Sequence, residues 1–234
     1  MKSNDGFQFR QFYVRHDRCA MKVGTDGVLL GCLCAGPAAT ILDLGCGTGL
    51  IALMLAQRFP EARIVGIDID PEAAAQAADN FAASPWADRL EAVCADVRSY
   101  DGQFNLIVSN PPFYEHSPAA STAARNRARR TDTLCHEELA GAVSRLLTDG
   151  GRFSVILPYA EADHLIHTGW LHGLHLQDRT DLRTKPSKPL RRSVLSFIRQ
   201  STRQPMPTTR SLTLLNDDST PSEAYRRLTE DFYL

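Results

Sequence analysis

The sequence predicts an α/β protein built on a mostly parallel sheet with helices on both faces. Two observations carry that expectation. Short β-rich apolar runs alternate with helical stretches five times over, and the first run ends in a glycine-rich turn leading straight into a helix. Sheets covered on both faces have strands that read as nearly continuous apolar runs, as these do.

The regular part starts at Thr40. Ile41 to Leu44 reads as a strand, and Leu50 to Phe59 as a helix stopped by Pro60. Arg63 to Ile67 is the next strand, followed by an alanine-rich helix from Pro71 to Ala83 with proline in its first turn. Leu90 to Ala95 and Phe104 to Ser109 are two further strands. Leu139 to Leu147 reads as a helix stopped at Asp149-Gly150-Gly151, and Arg152 to Leu157 as a strand stopped by Pro158. Leu174 to Leu182 and Ser193 to Ile198 are expected as an antiparallel closing pair around the Lys185 to Arg192 loop. Ser222 caps a short helix running to Asp231. The first 20 residues, with Phe7, Phe9, Phe12 and Tyr13, are expected to lie as an extension on the core.

Composition narrows the function classes. The chain has 234 residues with 26 Lys+Arg against 27 Asp+Glu, which excludes a histone-like or wholly acidic partner-binding protein. Of the basic residues 22 are Arg, the better type for gripping phosphates, so nucleic acid stays open as a partner. No apolar run is long enough to span a membrane and the first residues lack a signal-peptide core, so a cytoplasmic protein is expected. The six cysteines form no CxxC pair, and Cys32 and Cys34 lack a second ligand pair, so neither disulfides nor a metal are expected.

The turn Asp43-Leu44-Gly45-Cys46-Gly47-Thr48-Gly49 stands where a strand becomes a helix, the place where open α/β sheets bind nucleotide-like ligands. Gly45, Gly47 and Gly49 follow G-x-G-x-G rather than the spacing of a pyrophosphate loop, and no P-loop is present. Asp68 ends the second strand, where its carboxylate can take both hydroxyls of a ribose. Asp96 ends the third and can accept from the exocyclic amine of adenine, while the Val97 amide serves a ring nitrogen. An adenosine without phosphate fits this pattern. It resembles the class I S-adenosylmethionine-dependent methyltransferases, which implies S-adenosylmethionine as cofactor and a Rossmann-like, seven-stranded sheet with an antiparallel closing strand.

Ser109-Asn110-Pro111-Pro112-Phe113 leaves the carboxyl end of the fourth strand. Tandem prolines fix the backbone and remove two amide donors, so acceptors remain: the Asn110 side-chain carbonyl and the Pro111 main-chain carbonyl. A conjugated amine is a poor nucleophile because its lone pair is delocalised. Two acceptors on its hydrogens can draw it toward tetrahedral geometry and free that lone pair for in-line attack. Phe113 offers a ring on which a flipped base can stack. The expected catalytic set is therefore Asn110, Pro111, Pro112 and Phe113, with adenine N6, guanine N2 and glutamine amide as possible acceptors. Arg125, Arg127, Arg129 and Arg130 follow the motif, and Lys185, Lys188, Arg191 and Arg192 form a second basic cluster. Two such clusters near one rim favour a phosphate backbone as substrate scaffold.

Several further blocks occur in order: Phe7-x-Phe9-Arg10-Gln11-Phe12, Ala20 to Gly31, Leu53 to Arg58, Gln76-Ala77, Ser84-Pro85-Trp86 and Ser109 to Phe113. With these the chain, from about Phe7 to Ile198, resembles the bacterial tRNA1(Val) adenine-37 N6-methyltransferase family. The resemblance implies methyl transfer to N6 of an adenine beside the anticodon of a valine tRNA. It also implies that Met21 to Gly31 closes over the methionine end of the cofactor, with Lys22, Thr25 and Asp26 as contacts. Phe113-Tyr114 replaces the family's more usual Tyr-Phe, and Cys46 a more usual Thr. The expected organisation is an extension and cofactor-closing segment over 1–40, a methyltransferase domain over 41–200, and a tail with a short helix over 201–234. A monomer is expected. The rival readings are a ribosomal-RNA guanine N2-methyltransferase, a protein glutamine methyltransferase, or a catalytically silent module binding RNA or a partner.

Overall fold

The computed structural model describes residues 5–19, 22–34, 36, 38–111, 134–199 and 206–234. Pro112, Phe113, Arg125, Arg127, Arg129 and Arg130 lie outside the described residues. Strands β1 (Gly6–Gln8) and β2 (Tyr13–Arg15) form an antiparallel pair, followed by helix α1 (Thr25–Leu33). The alternating part is β3 (Thr40–Leu44), α2 (Leu50–Arg58), β4 (Arg63–Asp68), α3 (Pro71–Ala82), β5 (Leu90–Cys94) and β6 (Phe104–Ser109). Then come α4 (His136–Leu146), β7 (Leu147–Pro158), α5 (Ala162–Leu171), β8 (Leu174–Arg183), β9 (Arg192–Arg199), β10 (Thr208–Thr213) and α6 (Glu223–Thr229).

The main sheet runs β10-β8-β9-β7-β6-β3-β4-β5. Strands β5, β4, β3, β6 and β7 are mutually parallel, and β9 is antiparallel to both β7 and β8. After β3 the chain moves outward to β4 and β5, then returns to place β6 on the other side of β3. That reversal opens a crevice at the carboxyl ends of β3 and β6, where α/β sheets take ligands. One apolar cluster holds α1, α2 and the amino-terminal aromatics on one face, with Val28, Leu53 and Phe81 among its buried members. A second, with Leu139, Val143, Leu165 and Phe197, holds α4 and α5 on the other.

Three departures from the sequence expectation have local causes. The sheet has eight strands rather than seven, because β10 adds to β8 in parallel from Thr208↔Asp178 to Thr213↔Arg183. Helix α4 begins at His136, three residues early, because Cys135 and Glu138 form a reciprocal cap: the Cys135 thiol accepts from the Glu138 amide and the Glu138 carboxylate from the Cys135 amide. Asp149-Gly150-Gly151 falls within the β7 span instead of stopping a helix, and the register slips there, from Phe104↔Leu147 to Leu106↔Arg152. Helices α1 and α5 stand where the sequence pattern marks no helix. In α1, Gly27 and Gly31 look like breakers, yet a Cβ at Gly31 would stand 2.7 Å from the Met54 sulfur, so their bareness lets α1 lie close on α2.

The amino-terminal segment is part of the core. Phe9 is fully buried and stacks on Phe12 with ring centroids 4.7 Å apart, while Phe12 meets Trp86 edge-on at 5.7 Å. The segment after α6 closes over it: the Arg10 amide donates to the Phe232 carbonyl at 2.9 Å, and Tyr233 stacks on Phe9. Replacing Phe9 with Ala should cost about 3–5 kcal/mol of stability, since the ring leaves a cavity among rings that cannot collapse freely. Urea unfolding monitored by circular dichroism checks this, and a loss below about 1 kcal/mol would show that the segment is only loosely applied.

Candidate active site

The glycine-rich turn is held by main-chain bonds. The amides of Gly45 and Cys46 both donate to the Ile67 carbonyl at 2.9 Å, and the Gly47 amide donates to Asp68 Oδ2 at 2.9 Å. Gly45 and Gly47 adopt φ of 72° and 53°, and no atom lies within 4 Å of where a Cβ would stand on either. Side chains there would strain the backbone and fill open space. That space is a cavity of about 600 Å³ at the carboxyl ends of β3, β4, β5 and β6, a size suited to a nucleoside-sized ligand.

The cavity brings together residues far apart in sequence. Lys22, Thr25 and Asp26 reach it from α1 and the segment before it, and Asp68, Asp96 and Val97 from the ends of β4 and β5. Asn110 and Pro111 reach it from the end of β6. The Ser109 hydroxyl, fully buried, donates to the Leu44 carbonyl at 2.8 Å and ties the Asn110 corner to the glycine turn. Asp43 and Gly49, expected as cofactor contacts, stand behind the wall instead of on it. A Cβ at Gly49 would meet the Phe81 ring at 2.4 Å, so that glycine serves close packing against α3. Cys19, Ile69 and Leu134 also line the cavity. Ile69, half exposed directly after Asp68, carries a sequence signal of its own: an apolar residue between two aspartates at a strand end.

The carboxylates differ in state. Asp68 already accepts from the Gly47 and Asp70 amides, which aims it at the cavity while leaving further lone pairs for ligand hydroxyls. The Arg98 side chain grips both oxygens of Asp96 and its amide donates to Oδ1 as well, which holds the Asp96 carboxyl below the usual range. Burial pushes the Cys19 thiol up to about 11, helped by Asp68 and Asp70, and carries the Cys46 thiol well above its usual range. Neither is a ready nucleophile.

Asp43 is fully buried. Its Oδ2 accepts from the Ala52 amide at 3.0 Å, and its Oδ1 has no partner among the described residues. Burial pushes its carboxyl up to about 7, against the pull of the Ala52 amide and with a further push from the Asp68 charge.

These features fit S-adenosylmethionine. Asp68 suits the ribose diol, Ile69 and Val97 present apolar surface to a purine, and the missing side chains of Gly45 and Gly47 leave room for the sulfonium arm. The family model for the methyltransferase small domain matches residues 20–162. A tRNA1(Val) (adenine(37)-N6)-methyltransferase from Yersinia enterocolitica is 42% identical over 240 residues, covering all of this chain and 94% of the relative. The chain belongs to that methyltransferase family. Another member, from Photorhabdus laumondii, is 41% identical and covers 98% of this chain and 96% of its own length. Among solved structures, a predicted O-methyltransferase from Agrobacterium tumefaciens shares the fold with a TM-score of 0.69 at 20% identity, covering 88% of this chain and 96% of its own. A TehB-like S-adenosylmethionine-dependent methyltransferase from Corynebacterium glutamicum shares it with a TM-score of 0.52 at 19% identity, covering 77% and 91%.

The state of Asp43 gives a pH signature. Its proton leaves the unfolded chain near the ordinary 3.8 but leaves the folded cofactor-free protein only near 7. Between those values the folded state binds more protons, so stability falls as pH rises and stays low above 7. Asp43→Asn removes the titration. The stability of the natural protein relative to the variant should therefore drop by a few kcal/mol, on the order of 1.4 per unit of separation, between pH 5 and pH 8. Urea midpoints of both proteins across that range check it; parallel profiles would count against a raised Asp43.

Proposed function

We propose that the protein transfers a methyl group from S-adenosylmethionine to N6 of an adenine in tRNA, adenine 37 of tRNA1(Val). The single observation that carries this reading is the placement of Asn110 and Pro111 on the cavity that the glycine turn and Asp68 also line. The full-length likeness to enzymes named for that nucleotide selects adenine over guanine or glutamine. Among the described residues no helix is long and apolar enough to cross a membrane. A cytoplasmic location is part of this proposal, supported by relatives named for a tRNA.

The bound cofactor supplies an electrophilic methyl group on a cationic sulfonium. The chain's own contribution is to hold and reshape the amine. The Asn110 side-chain carbonyl and the Pro111 main-chain carbonyl accept the two N6 hydrogens, which favours a pyramidal nitrogen whose lone pair points at the donor. Pro111 is buried and Ser109 is bonded to Leu44, so the acceptors cost little to order at the moment of reaction. The methylated nitrogen is acidic and sheds its proton without a dedicated base. Phe113 stacks on the flipped adenine in this reading.

The basic clusters take the phosphate backbone. Within the second cluster the bonds divide the labour. Lys185 donates to the Asp217 carbonyl at 3.0 Å and the Ser219 hydroxyl at 2.7 Å, and Arg192 pairs with Asp26 at 2.8 Å. Lys188 and Arg191 are exposed and are the better placed to meet phosphate.

Asn110→Ala should abolish methyl transfer while leaving cofactor affinity within about threefold, because its carbonyl serves the substrate amine. Calorimetry with the cofactor, and mass spectrometry of nucleosides from treated tRNA, measure the two quantities. Retained turnover would remove the mechanism, and methylguanosine as product would move the answer to the guanine rival. Neutralising Arg129 and Arg130 together should weaken tRNA binding and lower the slope of log affinity against log salt by roughly 1–2. An unchanged slope would make that cluster a solubilising face.

A further inference from the structure

Helices α4 and α5 begin side by side. His136 opens α4 two residues after Leu134, which lines the cavity, and His164 lies in the first turn of α5. Their Nδ1 atoms stand 3.0 Å apart, with rings crossed at 71° and centroids at 4.7 Å. Glu161, just before α5, joins them: one ligand atom from each of the three lies within 4.8 Å of the others.

We infer that His136, His164 and Glu161 form a binding site for a zinc-class divalent cation that staples α4 to α5. Two imidazole nitrogens and a carboxylate are a donor set that zinc accepts with water in the fourth position. Nitrogens sharing a tetrahedral zinc at 2.0–2.1 Å stand about 3.3 Å apart, so the observed pair needs to open by only a few tenths of an ångström. The hydrogen lying between the two Nδ1 atoms passes to an Nε2 by tautomerisation, leaving both Nδ1 lone pairs for the metal. Burial holds the pKa of His136 below its ordinary value, and so favours the neutral ring a ligand must have.

The charges around the site single out Glu161. Glu138 is engaged by the Cys135 amide and Arg98, Asp163 by Arg179, and Glu137 by His172. Among the described residues no arginine or lysine pairs with Glu161. The staple would fix the start of α4, the first helix that follows the Asn110 corner among the described residues. It is separate from the methyl-transfer site and uses none of its residues.

The test is calorimetric titration of the untagged, chelator-treated full chain with zinc chloride, with magnesium chloride as control. One zinc per chain and no saturable magnesium binding are expected, with a rise in Tm on zinc addition. His164→Ala and Glu161→Gln should each weaken zinc binding at least about tenfold, since even outer partners of a metal site are worth that much. His172→Ala, which alters the other histidine pairing between the same helices, should leave zinc affinity and stoichiometry unchanged. His164 and Glu161 are not core residues, so these variants test binding rather than folding. Absence of saturable zinc binding, unchanged affinity in His164→Ala, or equal loss in His172→Ala would each overturn the site and leave a plain hydrogen-bonded histidine pair.

Discussion

The hydrogen bond from the Gly47 amide to Asp68 is the contact on which the site geometry turns. It joins the turn after β3 to the end of β4, and with the two amides that converge on Ile67 it sets the width of the crevice. Buried Asn80 fixes the same turn from behind: its amide nitrogen donates to the Thr48 and Arg15 carbonyls, and its oxygen accepts from the Arg15 amide. One side chain on α3 thus clamps both the glycine turn and β2. A buried amide satisfied on both its nitrogen and its oxygen tolerates little movement, since shifting either partner would orphan a polar group.

The proposed chemistry at the crevice depends on acceptors rather than on titrating groups. The acidic residues on the wall are engaged by amides or arginine, and the thiols are held in their protonated form by burial. Such a site suits a reaction in which a cationic donor loses its charge and the acceptor nitrogen must be shaped rather than deprotonated. In that proposed reaction the service asked of the apolar wall is water exclusion, not proton traffic.

Most of the crevice was legible because its residues sit at strand ends, where local sequence announces itself. The turn from Leu44 to Thr48, Asp68, Asp96 and Asn110 each close an apolar run, and the alternation of runs announces the parallel sheet. Legibility failed where a residue's meaning is set by a distant neighbour. Gly27 and Gly31 are helix breakers by propensity but contact surfaces in α1, because Leu50 and Met54 of α2 lie against them. Strand β10 is short and polar, and only the free edge of β8 makes it a strand. Asp43 carried the signature of a ligand contact, yet it lies behind the cavity wall, where one of its oxygens accepts from the α2 backbone. His136 and His164 are 28 positions apart, with no spacing motif to link them.

The junction of Phe9 and Arg10 with Phe232 and Tyr233 has a kinetic corollary. Arg10 and Tyr233 are bonded across 223 positions of chain, so closing that loop costs entropy that local growth of helices and hairpins cannot recover first. The nucleus should therefore lie in the β3–β6 region, with the aromatic seam docking late. Since β2 is clamped to α3 by Asn80 on one side and flanked by that seam on the other, the rear support of the glycine turn would mature among the last events of folding.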